Sequence, residues 1–421
     1  MNNKIQLIQK KLRNRIISIS RSQLARRLIY YYRKRKAHSV DLARANEFKS
    51  IYNNRVFGTQ IADIRYFLRV AKVLGLETKD IYLSCQERSA NAYLQSLAEM
   101  MFNITYSNIA FDEDIKAHVN YFPFSFYFTP DGGHRELNTF EHIECRFDIF
   151  IDLLANEKRI SAIYKKIGIT KNFVVVNNRD SYFDINYKSI FSEERNNNDS
   201  DFNTLCGAIQ FFLDRDLDVL RNGHYDVTTP LSPYLELTSL SQEEREMADI
   251  HIYRDALFIF GGGTGCNNLA SLCGTPHLLH NVSLKGNISE STLTLPKYLW
   301  DASQQRLVNY CTDDFLSKNI FAGSMNLNGV WDVLKNKLTP LIYNEKAFSQ
   351  YGYYYKDNTE DEIARAAERF YALIVDGLDF SNYELNLDAK FKSLLPQSHP
   401  LKYSNTVIFS EYLERHMGNV S

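Results

Sequence analysis

The chain alternates short apolar runs with amphipathic stretches, a pattern of strands and helices in turn. Asn54 to Thr59 reads as a strand end entering a glycine loop at Gly58. Apolar residues at 61, 64, 67, 68, 71 and 74 then hold helical spacing. Residues 80 to 84 predict the next strand, and 90 to 101 the next helix. Strand, loop and helix repeating in this way is the signature of a parallel sheet. The segment HVNYFPFSFYFTPDGGHRELNTFEH breaks the rhythm, and its prolines and Gly132-Gly133 predict a loop.

A second series opens at Asn172-Phe173-Val174-Val175-Val176, a continuous apolar run suited to a strand buried on both faces. A helix is predicted over 201–213, a strand over 217–220 and a short helix over 247–254. The stretch ALFIFGGGTGCNNLASLCGTPHLL supplies a strand over 256–260, a glycine loop, a helix, and a further strand over 277–281. Beyond 296 the pattern is mixed. Thr359-Glu360-Asp361-Glu362 is a capping box for a helix running to Gly377, and 406–416 predicts a last helix.

At 421 residues the chain exceeds one ordinary domain. The expected division is a basic arm (1–45), a first Rossmann-like domain (46–168), a second (169–350) and C-terminal helices (351–421) that pack back across the domains. Six scattered cysteines without a CxxC pair suit free thiols. Charge adds one feature. The first 40 residues hold 12 of the 49 basic residues and no acid, so the rest carries 37 basic against 50 acidic residues. The arm combines an imperfect apolar stripe (Ile5, Ile8, Leu12, Ile16, Ile19) with Tyr30 to Tyr32 and the cluster Arg33 to Lys36. That combination fits an anionic membrane surface, through residues 1–38, and fits packing against the chain's own acidic body. Nucleic acid has no support later in the chain. No run of 18 apolar residues occurs, and a signal peptide is not expected.

In doubly wound sheets ligands sit beyond the carboxyl ends of the strands. The residues there are Gly58-Thr59-Gln60, Asn177 to Asp180, Arg221 to Gly223, and Gly261-Gly262-Gly263-Thr264-Gly265. The last suits an anion: glycines let backbone N–H groups approach closely, and the next helix offers its N-terminus. A tight turn chosen for packing explains the same residues. Thr264 is either a hydroxyl donor or a helix cap. The spacing matches neither a P-loop nor a dinucleotide fingerprint. Arg179 and Arg221 share this rim and can clamp a phosphate, with Asp180 orienting Arg179; an ion pair with a local acid is the other reading. For acid–base work the first half offers Asp63 and His134. No metal motif occurs, so no metal or other cofactor is expected.

Taken together, FVVVNNRDSYFD, RNNNDSDFNTLCGAIQFFLDRDLDVLRNG and MADIHIYRDALFIFGGGTGCNNLASLCGTPHLLHN resemble a family of proteins classed as bacterial polysaccharide glycosyltransferases. The first-domain segments GTQIADIRYFLR and ERSANAYL are similar to it as well, so the resemblance spans residues 50 to 290, with an echo at VIFSEYLERH. The family positions look like Arg179 and Asp180, Arg195 and Asn196, Arg221 and Gly223, Asp249, and Gly261 to Gly265. The resemblance implies an α/β protein with a GT-B fold, two Rossmann-like domains facing across a cleft. It implies a nucleotide-sugar donor in the second domain and a saccharide or lipid-linked saccharide acceptor in the first. The glycine loop also looks like the donor loop of heptosyltransferases, where a carboxylate residue precedes Thr-Gly; Gly263 stands there instead. Gln60 or Thr59 stands where a histidine is expected. The expected activity is metal-independent glycosyl transfer in surface polysaccharide synthesis, such as capsule or O-antigen, at the cytoplasmic face of the membrane. An epimerase or hydrolase of nucleotide sugars, and a non-catalytic scaffold, remain open.

Overall fold

The computed structural model describes residues 156–179, 199–223, 234–284, 291–313, 352–395 and 400–418, with residue 349 and shorter pieces between 50 and 136. The chain divides into two compact units, the first of residues 1–137 and 149–156, the second of residues 138–148 and 157–421.

In the first unit β1 (Ser50–Ile51), β2 (Tyr82–Cys85) and β3 (Asn103–Tyr106) form a parallel sheet in the order β1-β2-β3. Helix α1 (Ala92–Met101) precedes β3. The Asn91 side chain accepts the Leu94 amide hydrogen at 2.8 Å and so starts this helix. Ile61, Ile64 and Leu68 are helical and buried, as their spacing predicts. The irregular segment contains an antiparallel pair, β4 (Phe126–Phe128) with β5 (His134–Glu136). His134 therefore opens a strand opposite Phe128, where the sequence suggested a loop. Prolines and glycines can delimit a hairpin as well as an irregular loop.

The second unit holds one seven-stranded sheet, parallel throughout. Helix α2 (Glu157–Ile167) leads into β6 (Phe173–Asn177), every residue of which is buried. Helix α3 (Cys206–Leu213), entered through a 3-10 turn (Phe202–Leu205), crosses to β7 (Asp218–Arg221). Then follow β8 (Leu235–Glu236), α4 (Gln242–Asp255) and β9 (Ile259–Gly261). Helix α5 (Asn267–Cys273) leads to β10 (His277–Val282), and β11 (Leu293–Pro296) comes next.

The order is β15-β11-β10-β9-β6-β7-β8, where β15 (Val407–Ile408) comes from the C-terminal segment. In chain order the strands read third, second, first, fourth, fifth, sixth, seventh. That is the doubly wound arrangement, with its switch point between β6 and β9. Right-handed crossovers running in opposite directions from the switch point place α3 and α5 on opposite faces.

The remaining elements complete this unit. β12 (Tyr298–Asp301) pairs antiparallel with β13 (Arg306–Leu307) and β14 (Tyr353–Lys356). Helix α6 (Glu360–Ile374) starts at the predicted capping box and packs on α3, β10 and β11. Helices α7 (Asn382–Leu394) and α8 (Ser410–Met417) pack on each other. Val407 and Ile408 were expected to be helical. They are β-branched and lie beside β11, so they extend the sheet instead, and the helix starts only at Ser410. The core beneath α3 and α6 is aromatic: Phe212 meets Phe258 at 5.2 Å and Phe260 at 5.5 Å, edge to face, and Phe258 meets Phe370 at 5.2 Å. Burial of each such ring contributes about 1.5–3 kcal/mol. No described helix is long and apolar enough to cross a membrane.

Candidate functional site

The carboxyl ends of β6 and β9 meet at the switch point, and the glycine loop leaves from there. None of Gly261, Gly262, Gly263 and Gly265 has a left-handed φ. The two strand-proximal glycines are needed for close approach instead. A Cβ at Gly261 would stand 2.5 Å from Asn177 Oδ1 and 2.8 Å from Asn267 Oδ1. A Cβ at Gly262 would stand 3.2 Å from Asn178 Cα and 3.4 Å from the Arg179 nitrogen. The loop thus lies directly on the backbone that carries Arg179.

Asn177 is the organising side chain. It is 2% exposed at the end of β6. Its Nδ2 donates to Asn267 Oδ1 at 3.0 Å and to the Tyr253 hydroxyl at 3.1 Å. Its Oδ1 accepts from the Thr264 hydroxyl at 3.3 Å. Asn267 Nδ2 in turn donates to the Gly262 carbonyl. The loop is therefore clamped at both ends by buried carboxamides. Thr264 does not cap the following helix: Cys266 occupies that position without a side-chain bond, and the Thr264 hydroxyl is directed at Asn177. The Gly262 amide donates to the Asn177 carbonyl at 2.9 Å and the Thr264 amide to the Gly262 carbonyl at 2.8 Å. Those two amides are thus already used, one by β6 and one inside the loop. Gly263 and Gly265 donate no backbone hydrogen bond to a described residue. Helix α5 has only seven residues, so its contribution to an anion is small.

Arg179 is partly exposed at the rim, and its Nε donates to Asp199 Oδ1 at 3.1 Å. The turn at 199–200 is stitched to the Arg179 segment by the Ser200 amide on the Arg179 carbonyl (2.8 Å) and by Asn178 Nδ2 on the Ser200 carbonyl (3.0 Å). Asp199 is itself buried and lies where Lys297, 2% exposed, donates to its backbone carbonyl. Lys297 also pairs with Asp357 at 2.6 Å.

Arg221 sits differently. It is 2% exposed, its guanidinium lies 4.2 Å above the Phe202 ring, Nη1 reaches the Tyr234 hydroxyl at 3.2 Å, and Glu236 stands 3.7 Å away. The structure thus brings Arg179 and the glycine loop together and seats Arg221 below the rim, in aromatic contacts. Gly223 follows β7, has open space where a Cβ would be, and its carbonyl accepts from Arg245 at 3.3 Å. Asp249 lies partly exposed on α4, and burial pushes its carboxyl up to about 7 despite the nearby Arg245. Burial likewise pushes the Cys266 thiol up to about 12, and Asp249 adds to the effect. On β10, His280 is fully buried and stacks on Phe260 at 5.2 Å. Among the described residues neither ring nitrogen has a hydrogen-bond partner, and burial, opposed by the Asn177 backbone, holds its pKa down at about 3.

Asp63, Asp180, Arg195 and Asn196 lie outside the described residues, as does the basic arm. His134 is described only as the first residue of β5. Among the described residues no group of three or more His, Cys, Asp or Glu could hold a metal ion. Sequence reasoning assigned no role to Asn177, Asn267, Tyr253, Asp199 or Lys297. Asn177 stood among the strand-end residues, but a carboxamide there carries no chemical signature until its partners are known. Asp199 and Lys297 are 98 positions apart in the chain and give no local pattern.

No family model matches this chain, and no curated protein does. Among solved structures it is similar to a dodecameric iron-containing heptosyltransferase, TibC, in complex with ADP-D-β-D-heptose. The TM-score is 0.31 at 13% identity, over 56% of this chain and 59% of that one. The chain thus spans somewhat over half of that structure's length, and a likeness of this extent decides neither fold nor function.

Proposed function

We propose that the protein is a glycosyltransferase that moves a sugar from a nucleotide-sugar donor to a saccharide or lipid-linked saccharide acceptor. The observation that carries this reading is the contact of the glycine loop with the Arg179 backbone at the switch point between β6 and β9. Such a crevice is where doubly wound sheets take phosphate-bearing ligands. The ordered motifs that resemble polysaccharide glycosyltransferases add the reaction class. In this reading the Arg179 guanidinium and the Gly263 and Gly265 amides hold the donor diphosphate. Thr264, clamped by Asn177, fixes the loop, and Asp249 and Gly223 border the donor on the α4 side.

The chemistry asked of the site is stabilisation of charge on the departing nucleotide. A preorganised guanidinium with backbone amides supplies that without a metal ion. Arg221 supports the rim from beneath rather than touching the ligand. The proton of the acceptor hydroxyl needs a base, for which Asp63 and His134 are the candidates. The arm, residues 1–38, holds the enzyme at an anionic membrane surface, on the cytoplasmic side where nucleotide sugars are made.

A thermal-shift panel of UDP, GDP, CMP and ADP tests the donor site. One nucleotide is expected to raise Tm, and Arg179→Ala is expected to reduce the shift. No shift with any of the four, together with an Arg179→Ala variant indistinguishable from wild type, would sink the reading. Product analysis with the matching nucleotide sugar then separates transfer from epimerisation or hydrolysis.

A further inference from the structure

We propose that Lys297 is a positioning residue for the nucleoside diphosphate, acting through Asp199 on Arg179. This rests on the donor-site reading of the rim. Lys297 directly follows β11, and its backbone amide donates to the Val282 carbonyl at 2.9 Å. Its base is therefore held by the sheet. Lys297 is 2% exposed, and its ammonium reaches the Asp357 carboxylate at 2.6 Å and the Asp199 backbone carbonyl.

The Asp357 side is rigid too. The next residue, Asn358, exchanges reciprocal bonds with Asn281, its amide to Asn281 Oδ1 at 2.7 Å and its Oδ1 from the Asn281 amide at 3.2 Å. Asn358 Nδ2 also donates to the Pro296 carbonyl at 2.9 Å. The ends of β10, β11 and β14 are thus tied into one block that presents the Lys297 ammonium.

What that block holds is the turn at 199–200. Asp199 receives Lys297 on its backbone and Arg179 on its side chain, at 3.1 Å. One residue converts a fixed backbone position into a fixed direction of the guanidinium. Arg179 uses its Nε for this bond, a geometry that sets the plane of the fork. Burying an ammonium costs several kcal/mol in desolvation, and a hydrophobic residue of similar size often stabilises a fold as well or better. The ammonium at this position is paired with Asp357 and directed at the Asp199 carbonyl. The sequence places Lys297, Asp199 and Arg179 on three separate segments. Only the carboxyl rim brings them into a row.

The test is a double-mutant cycle on the full-length protein, read by calorimetric titration with UDP, GDP and ADP. Lys297→Met is expected to weaken the best of these about tenfold, a loss of about 1.4 kcal/mol. In the Arg179→Ala background the same change is expected to add nothing, because Lys297 acts through Arg179. Losses that add independently overturn the proposal, as does a Lys297→Met protein that melts lower yet binds like wild type. If Lys297→Met does not fold, Lys297→Gln, which stays polar but falls short of the Asp199 carbonyl, takes its place in the cycle. If wild type binds none of the three, or Arg179→Ala leaves binding unchanged, the donor-site reading itself fails and the proposal with it. If Arg179→Ala weakens binding and neither Lys297 variant does, the proposal alone fails.

Discussion

Gly261 and Asn177 are so close that a methyl group on Gly261 would stand 2.5 Å from the Asn177 carboxamide oxygen. That atom is also the acceptor for Thr264, and its carboxamide holds Asn267 and Tyr253. Gly261→Ala therefore displaces the clamp of the whole loop. Overpacking of this kind costs about 1–3 kcal/mol, and Tm is expected to fall by several degrees. Gly223→Ala is the comparison: nothing stands within 4 Å of a Cβ there, its φ is not left-handed, and Tm is expected to stay within about a degree. Differential scanning fluorimetry of both variants decides it. Equal melting would show that the clamp does not constrain the loop.

The two rim arginines are expected to separate by phenotype. Arg221 is buried against Phe202 and Tyr234, so Arg221→Ala removes packing as well as charge and is expected to cost about 2–4 kcal/mol of stability. Arg179 is partly exposed and pairs with Asp199 at 3.1 Å. Its replacement by Ala is expected to change stability by about 1 kcal/mol or less while reducing the nucleotide-induced shift. Denaturant melts beside nucleotide titrations make the comparison; the opposite ranking would exchange the two roles.

His280 makes stability depend on pH. Burial lowers its pKa from 6.5 to about 3, so the folded protein resists a proton that the unfolded chain accepts. Its stabilising contribution is complete above pH 6.5 and is lost as pH falls towards 3. His251 and His416, both held near 4, act in the same sense. Asp249, raised to about 7, acts in the opposite sense: its contribution is lost as pH rises from about 4 through 7. His280→Leu also removes two buried ring nitrogens without partners. The variant is expected to gain stability relative to wild type at pH 5 by more than at pH 8, by an amount on the order of 2 kcal/mol. A pH-independent difference would exclude His280 as a source of the acid sensitivity.

The membrane role assigned to residues 1–38 calls for flotation with anionic and with zwitterionic liposomes. The full chain is expected to float with the anionic ones at low salt and to be released as ionic strength rises. A chain lacking residues 1–38 is expected to remain in solution. Equal flotation of both forms would remove the arm from the account.

Much of the second unit is legible from pattern alone. The run Phe173 to Val176 can hardly be anything but a strand buried on both faces, and Thr359 to Glu362 marks a helix start by local hydrogen bonding. Both signals are confined to a few residues. The same kind of signal stands at Ser241 and Glu244, which form a capping box and start α4 earlier than its apolar spacing suggests. Val407 and Ile408 carry no such local signal, because a two-residue strand has no period of its own; its partner β11 makes it one.

By itself the sequence determined the α/β character of the chain, the glycine loop and the position of Arg179 just beyond a buried strand. Those features depend on the spacing of side chains along a few residues and on the chemistry of single residue types. The tertiary structure decided what each does. Sheet order set the switch point, and with it the meeting of Asn177, Gly261 and Asn267. It also turned the inner glycines into packing glycines, drew Arg221 over two aromatic rings, and lined Lys297 and Asp199 up behind Arg179. Such contacts join residues tens of positions apart, and the free energy of a hydrogen bond or a close approach depends on a partner that no local pattern contains.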